Sequence, residues 1–222
     1  STLRLSENVS LRLNGGYSHA DYDFSDDSTF MGGTPWDKLH TMDFSAGLSC
    51  TALPGWRFTA TPSVRIAREE GANWGNAFQY GGSLSASREF GDTLTLGLGA
   101  AVFSQLEEVT VTPLLLVKWR ISERLTLANP LRSGLAGPAG LELTYRLDNG
   151  WDLAAGAAYR SERFRLKNSG SYADGIGEFS SIPAWARLSR RMGSTFSLDI
   201  SGGVAFGGKV RVEDSHGRRL AS

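Results

Sequence analysis

The sequence has few of the residues that usually mark a metal site or a disulfide framework. Its 222 residues include one cysteine, Cys50, and three histidines. A single cysteine cannot form a disulfide within the chain, and no Cys/His cluster has the spacing of a zinc site. Cys50 falls on the apolar side of an alternating segment, which favours an inert hydrophobic residue over a reactive thiol. We therefore expect neither a metal nor a cofactor.

Long hydrophobic runs and a net charge are also missing. No stretch reaches the roughly 18 consecutive apolar residues of a transmembrane helix. The 23 basic and 23 acidic residues balance, so bulk charge gives no general attraction to nucleic acid. The chain opens with STLRLSENVS, which already alternates and does not resemble a signal peptide. We expect a mature or trimmed chain with no nucleic-acid partner.

The sequence is instead rich in segments that alternate between apolar and polar residues, which is typical of β-strands. About eleven such segments are present, and none is convincingly helical. The clearest is a hairpin over residues 140–166, in which Leu143 and Tyr145 point to one face and Thr144 to the other. A three-residue loop at 148–150, with Gly150 at positive φ, pairs the residues on either side of it. The apolar face then continues through the turn.

The connections between these segments alternate in length. Short turns are predicted at residues 53–55, 90–92, 122–124, 148–150 and near 191–195. Long loops are predicted at 23–37, 67–76, 129–139 and 166–177, with one exception in the brief turn near Glu107. Short turns at one end and long loops at the other are typical of transmembrane β-barrels.

The polar face of the segments holds mostly Gly, Ser and Thr. A soluble β-sandwich also alternates, but a solvent-facing sheet normally carries more Lys and Glu against aggregation. Small residues with scattered arginines suit the crowded, wet interior of a barrel. Aromatic residues such as Trp56, Trp119, Trp74 and Tyr80 lie near the segment ends, as in the two girdles of a membrane barrel. We therefore predict that the apolar face contacts lipid.

Turn lengths also predict which charged residues oppose one another on the polar face. Three cross-strand pairs of opposite charge follow, and they are Asp43 with Arg65, Arg146 with Asp152, and Arg187 with Asp199. The last pair assumes that Leu188 faces Leu198. Further inward basic residues are Arg12, Arg57, Lys118, Arg120 and Arg160. Inward cations outnumber inward acids, which favours anions if the interior conducts; a packed, ion-paired interior without a pore is the alternative.

Other polar clusters are weaker candidates. His19 on the outer face could belong to a lipid-hydrolysing site, but its neighbour Ser18 faces inward, and a plain histidine at the rim is favoured. A group of loop acids could bind a divalent cation, although a solvated loop is favoured; its members are Asp21, Asp23, Asp26 and Asp27. A group of bases could bind lipopolysaccharide phosphates, although a charged rim is favoured; its members are Arg160, Arg163, Arg165 and Lys167.

The second half of the chain resembles a known family. The resembling pieces are LANPLRSGLAGPAGLELTYRL, GAAYRSERFRL, GIGEFSSIPAWARLS and SLDISGGVAFGGKVRVEDSHGRRLAS, within residues 128–222. They resemble a family of Gram-negative outer-membrane β-barrels that is classified only as a domain of unknown function. The resemblance implies an outer-membrane location and twelve strands, of which this sequence lacks the last. It implies no catalytic residue.

Together these features predict one domain over residues 1–222. It is an all-β, antiparallel, up-and-down transmembrane β-barrel of twelve strands, the last of them missing from this chain. We expect an integral protein of the bacterial outer membrane, not an enzyme, in contact with outer-membrane lipid and lipopolysaccharide. The predicted function is a narrow, weakly anion-preferring channel for small solutes. The alternatives are a non-conducting barrel that docks another envelope protein and a surface lipid-modifying enzyme.

Overall fold

A computed structural model describes residues 2–24, 34–129, 140–192, 196–216 and 218–221. Over these ranges the chain is all β, with two single 3₁₀ turns and no α-helix. The strands are β1 (Thr2–Arg4), β2 (Val9–Asp21), β3 (Lys38–Cys50), β4 (Trp56–Glu69), β5 (Phe78–Phe90), β6 (Leu94–Gln105), β7 (Glu108–Arg120), β8 (Leu125–Ala128), β9 (Gly140–Arg146), β10 (Trp151–Ala158), β11 (Arg160–Arg165), β12 (Ile176–Met192), β13 (Phe196–Glu213) and β14 (Arg219–Ala221).

The strands form one sheet in which each strand pairs antiparallel with its neighbour along the chain, from β1 to β14. The sheet curves into a partial ring. Only β11 lies off this path: it pairs antiparallel with β12 and meets β4 in a single parallel contact, Arg165 with Arg68. Because β4 and β12 are far apart along the sheet, β11 lies across the ring. The predicted up-and-down antiparallel topology is therefore present, with this one crossing added.

Two predicted strands are divided in the structure. The first alternating segment, expected to be continuous from Thr2 to Tyr22, is interrupted by a turn in which the Leu5 N–H donates to the Val9 carbonyl at 2.9 Å. β1 therefore folds back onto β2. The second half of the predicted hairpin is divided at Tyr159 into β10 and β11. At the other end of the sheet, β14 lies antiparallel beside the end of β13.

The hairpin turn at 148–150 agrees with its prediction. The Leu147 N–H donates to the Trp151 carbonyl at 2.8 Å, and Gly150 has a φ of 75°. Asn149 is also left-handed, with a φ of 62°, a conformation that asparagine tolerates better than most residues. The turns predicted near 191–195 and 129–139 lie largely outside the described residues.

The two faces of the sheet differ in chemistry. The outer face exposes large apolar side chains at alternate positions, including Leu84, Leu98, Val109 and Val111 at 65–70% exposure. The inner face carries Gly, Ser and Thr, charged residues, and a small buried cluster of Ala101, Phe103 and Leu114. Alternation along each strand produces this division.

The main hydrophobic core lies at the long-loop end of the ring and not in its middle. It is formed by residues of β3, β4, β13 and the strand across the ring, which are Trp36, Leu39, Ala67, Phe164, Leu166 and Val212. Partly buried Tyr22, Phe24, Tyr172, Phe179 and Val210 pack against it. Among the described residues, no helix is long and apolar enough to cross a membrane.

Candidate functional site

The inner face joins Asp43 and Arg65 as the turn length predicts. The two residues are directly opposed on β3 and β4, and the Arg65 Nε donates to the Asp43 carboxylate at 2.7 Å. The side chain of Arg65 is nearly buried. Cross-strand partners on one face lie close enough for such a bond, so the guanidinium lies along the wall of the ring.

Arg187 and Asp199 also contact each other, although the predicted register is wrong by two residues. Leu188 faces Ile200 and not Leu198, because β12 and β13 pair out to Met192 and Phe196. A shift of two residues keeps side chains on the same face. The pair is therefore diagonal, and the Arg187 guanidinium still lies 3.2 Å from the Asp199 carboxylate.

The stronger partner of Arg187 is Glu142, which the sequence reasoning missed. The Arg187 Nη2 donates to one Glu142 oxygen at 2.5 Å, and the Trp185 indole N–H donates to the other at 2.8 Å. Both β12 side chains pass over β10 to reach β9. This path needs small residues beneath it: a Cβ on Gly156 would lie 2.7 Å from the Trp185 ring, and the other position is Ala154. Only a contact that skips a strand explains these residues, and pairing rules for neighbouring strands do not find it.

The third predicted pair is opposed but not bonded. Arg146 faces Asp152 in the register of β9 and β10. Among the described residues, neither side chain takes part in an ion pair or a side-chain hydrogen bond, so the predicted salt bridge is absent. Arg146 is exposed at the short-turn end of the ring.

The other predicted inward cations are exposed as well. Arg12, Arg57, Lys118 and Arg120 lie on the inner face toward the short-turn end, and Arg160 begins the strand across the ring. Arg12 contacts the Thr2 hydroxyl at 3.4 Å, and Arg120 donates to the Asp92 carbonyl at 2.7 Å. Within the described part of the chain, none of the five makes an ion pair. The short-turn end of the inner face is therefore basic and accessible.

The long-loop end has the opposite character, because the bases predicted to form a charged rim are mostly buried. We call residues 160–167 the strap, because they extend across the ring there. Arg163, whose side chain is 3% exposed, lies 2.8 Å from Glu108, 3.0 Å from Glu178 and 2.7 Å from Glu213. The rim interpretation is wrong for this residue, since β11 leaves the wall and carries it into the interior.

The next two bases of the strap make similar contacts with the opposite wall. Arg165 donates to the Asn76 carbonyl at 2.9 Å and lies 3.7 Å from Glu107. Lys167 pairs with the buried Glu69 of β4 at 3.2 Å. The intervening Phe164 and Leu166 enter the core. The alternation Arg-Phe-Arg-Leu-Lys thus gives the strap one charged and one apolar face, and this pattern was the signal available in the sequence.

His19 has an acid but no nucleophile beside it. Its Nε2 lies 3.3 Å from Asp21, and its ring centre lies 4.7 Å from that of His40. The Tyr17 hydroxyl and His40 Nδ1 are 2.9 Å apart. No serine or threonine hydroxyl of the described residues bonds to either histidine. The group forms part of the outer rim and lacks the arrangement of a hydrolase.

The acidic loop is only partly described. Asp21 and Asp23 are included, whereas Asp26 and Asp27 lie outside the described residues. Over the described ranges, no three His, Cys, Asp or Glu side chains are grouped so that they could hold a metal ion.

Sequence comparison places this architecture in a family without an assigned activity. Residues 55–221 match the family described as a domain of unknown function, DUF6268. No curated protein and no solved structure matches the chain. The match covers the strands from β4 to β14, including both the basic inner face and the strap. The chain therefore belongs to the DUF6268 family.

Proposed function

We propose that the protein is an integral β-barrel of the bacterial outer membrane. The observation that carries the proposal is the outer face, where large apolar side chains are exposed at alternate positions on successive strands. A soluble monomer rarely exposes a contiguous apolar surface of this extent. A hydrocarbon environment removes its cost, since apolar surface then has no water to avoid.

Strand dimensions support the same assignment. β2 to β7 have 12–14 residues each, and a tilted strand needs about 9–11 to cross the hydrocarbon core. Exposed aromatic side chains lie toward both ends, with Trp119 and Phe196 by the short turns and Trp74 and Tyr80 by the long loops. Girdles at the two interfaces have this arrangement.

Closure of the wall is part of the proposal. β2 and β13 run in the same direction, and β1 and β14 lie antiparallel beside them. A further antiparallel strand between β13 and β2 would complete a twelve-stranded barrel. An open edge would leave unpaired backbone groups in hydrocarbon, each at a cost of several kcal/mol.

The membrane assignment is tested by quenching of tryptophan fluorescence in vesicles with brominated acyl chains. Trp119 is 45% exposed on the outer face, whereas Trp36 is fully buried. We expect Trp119→Phe to remove more of the quenchable emission than Trp36→Phe does. Equal loss from both variants, or no quenching of the wild-type protein, would contradict insertion.

Within this barrel we propose a narrow path that weakly prefers anions. Five inner cations without ion pairs support this preference, because an excess of one charge sets the selectivity of a narrow pore. The test is single-channel conductance and reversal potential in a planar bilayer. Arg57→Gln with Arg146→Gln should shift selectivity toward cations. Arg88→Gln is the matched control, because Arg88 lies outside over Trp56 and should leave the reversal potential unchanged.

The second candidate is a non-conducting barrel that docks another envelope protein. The closed core at the long-loop end favours it, because Trp36, Phe164 and Leu166 pack there with almost no exposure. A correctly inserted protein that never conducts, and that co-purifies with an envelope protein, would support docking over transport.

A further inference from the structure

The strap is attached very differently on its two sides. β11 pairs with β12 at six consecutive register positions, and backbone hydrogen bonds continue this hairpin through Leu166 with Gly175 and Asp174 with Lys167. On the other side it meets β4 at one position, Arg165 with Arg68. Separation from β4 would therefore break far fewer backbone contacts than separation from β12.

Side-chain contacts supply the rest of the attachment to the opposite wall. Each alternate base of the strap contacts a carboxylate there, with Arg163 on Glu108, Arg165 on Glu107 and Lys167 on Glu69. Glu107 and Glu108 are half exposed. Ion pairs near water exchange for hydration at small net cost, so these contacts can open without disturbing the sheet.

The closed arrangement also leaves polar atoms unsatisfied. Four buried atoms without a hydrogen-bond partner belong to residues in or around this contact, and they are Trp36 Nε1, Gln79 Oε1, Arg163 Nε and Tyr172 OH. A buried polar group without a partner has lost its hydration and gained nothing in return. Opening toward water would restore that hydration, which lowers the cost of the open state.

We propose that the strap is a gate, which opens by separating from β4 and from the ends of β5–β7 while its pairing with β12 remains intact. The gate rests on the proposed barrel function, because it controls access to the interior of the ring from the long-loop end. Such local openings involve the least stable contacts of a fold, and ordered segments that move as a unit are a common form of switch.

Thiol accessibility tests the movement without depending on conductance. In a Cys50→Ser background, Ala67→Cys places a thiol in the core beneath the strap, and Ala101→Cys places one in the inner wall. Both alanines are almost fully buried, so the variants form a matched pair. The measured quantity is the rate of reaction with a membrane-impermeant maleimide in vesicle-inserted protein.

Glu108→Gln should release one strap contact and raise the labelling rate at Ala67→Cys roughly fivefold. It should change the rate at Ala101→Cys by less than about twofold. Glu123→Gln in an exposed short turn is the control substitution and should change neither rate. Labelling of Ala67→Cys that ignores Glu108→Gln, or tracks Ala101→Cys, would overturn the gate.

A disulfide between Arg68→Cys and Arg165→Cys tests control of the path, since these positions are backbone partners. The oxidised protein should conduct less than the same protein after reduction. Equal conductance in both forms would overturn the gate. No conductance in either form, together with Glu108-dependent labelling, would refute the channel and support a strap that opens.

Discussion

The two ends of the ring carry similar residues in opposite arrangements. At the long-loop end, Arg163 is buried and contacts three carboxylates. At the short-turn end, Arg57, Lys118 and Arg146 are exposed and make no ion pair with any described residue. A buried charge is tolerated only with partners, whereas an exposed one needs none. The crossing strand, and not the residue type, creates this difference.

The largest expected effect comes from removing the buried charge. Arg163→Ala leaves three carboxylates without their shared partner, and we expect a loss of about 3–5 kcal/mol in the free energy of unfolding. Arg146→Ala, which removes an exposed and unpaired arginine, should stay within about 0.5 kcal/mol of wild type. Urea titration of the refolded protein in lipid measures both. Similar losses in the two variants would remove the distinction between the ends.

A second prediction compares the faces of the wall between the two ends. Leu143 is exposed on the outer face of β9, and Thr144 points inward beside it. Leu143→Arg should cost about 2–4 kcal/mol if it lies near the bilayer midplane, while Thr144→Arg should be milder because the interior is polar. The yield of folded protein in vesicles measures the difference. Equal tolerance would contradict the assignment of the faces.

A third prediction concerns packing at the strap. Phe164 lies against Gly177 on the neighbouring strand, so that a Cβ there would overlap the phenyl ring. Gly177→Ala should cost about 1–3 kcal/mol through overpacking. Gly202→Ala on β13 is the control, because nothing lies within 4 Å of the added atom, and its effect should stay within about 0.5 kcal/mol. Thermal unfolding of both variants checks the difference, and an equally large loss in Gly202→Ala would point to backbone effects instead.

Short-range patterns predicted the wall, whereas the crossing was beyond their reach. Alternation and turn length fixed the register that opposes Asp43 to Arg65 and Arg146 to Asp152. The same rules cannot find Glu142 as the partner of Arg187, because that contact spans an intervening strand. They also assign Arg163 to the surface, since its burial depends on contacts with β5 and β7 that lie more than 50 residues away.

The predicted ion pairs show a similar limit. A correct register brings Cβ atoms together, but a long side chain then selects among all acceptors in reach. Arg187 therefore bonds Glu142 as well as Asp199, whereas Arg146 bonds neither Asp152 nor another described carboxylate. Membrane insertion and conductance depend on the environment as well as on the chain, and they stay predictions.

The smallest effect is expected in a carboxylate outside the buried network of the long-loop end. Asp214 follows β13 and is fully exposed, yet its pKa is lowered to about 2. The backbone N–H of Arg218 is the main cause, joined by the N–H of His216 and the Arg218 guanidinium. A lowered pKa in the folded state means that the turn is stabilised above the ordinary value of 3.8 and loses that support as the pH falls through about 2.

Carbon NMR titration of the Asp214 carboxyl tests this assignment. Arg218→Ala removes the guanidinium but keeps both backbone donors, so the pKa should rise only part of the way toward 3.8. Because the side chain is exposed, the global unfolding transition should not move with it, in contrast to the loss expected at Arg163. A wild-type midpoint near 3.8 would show that the turn does not hold Asp214 in this geometry. A full return to 3.8 in Arg218→Ala would assign the shift to the guanidinium and not to the backbone, and the turn would then depend on one exposed ion pair.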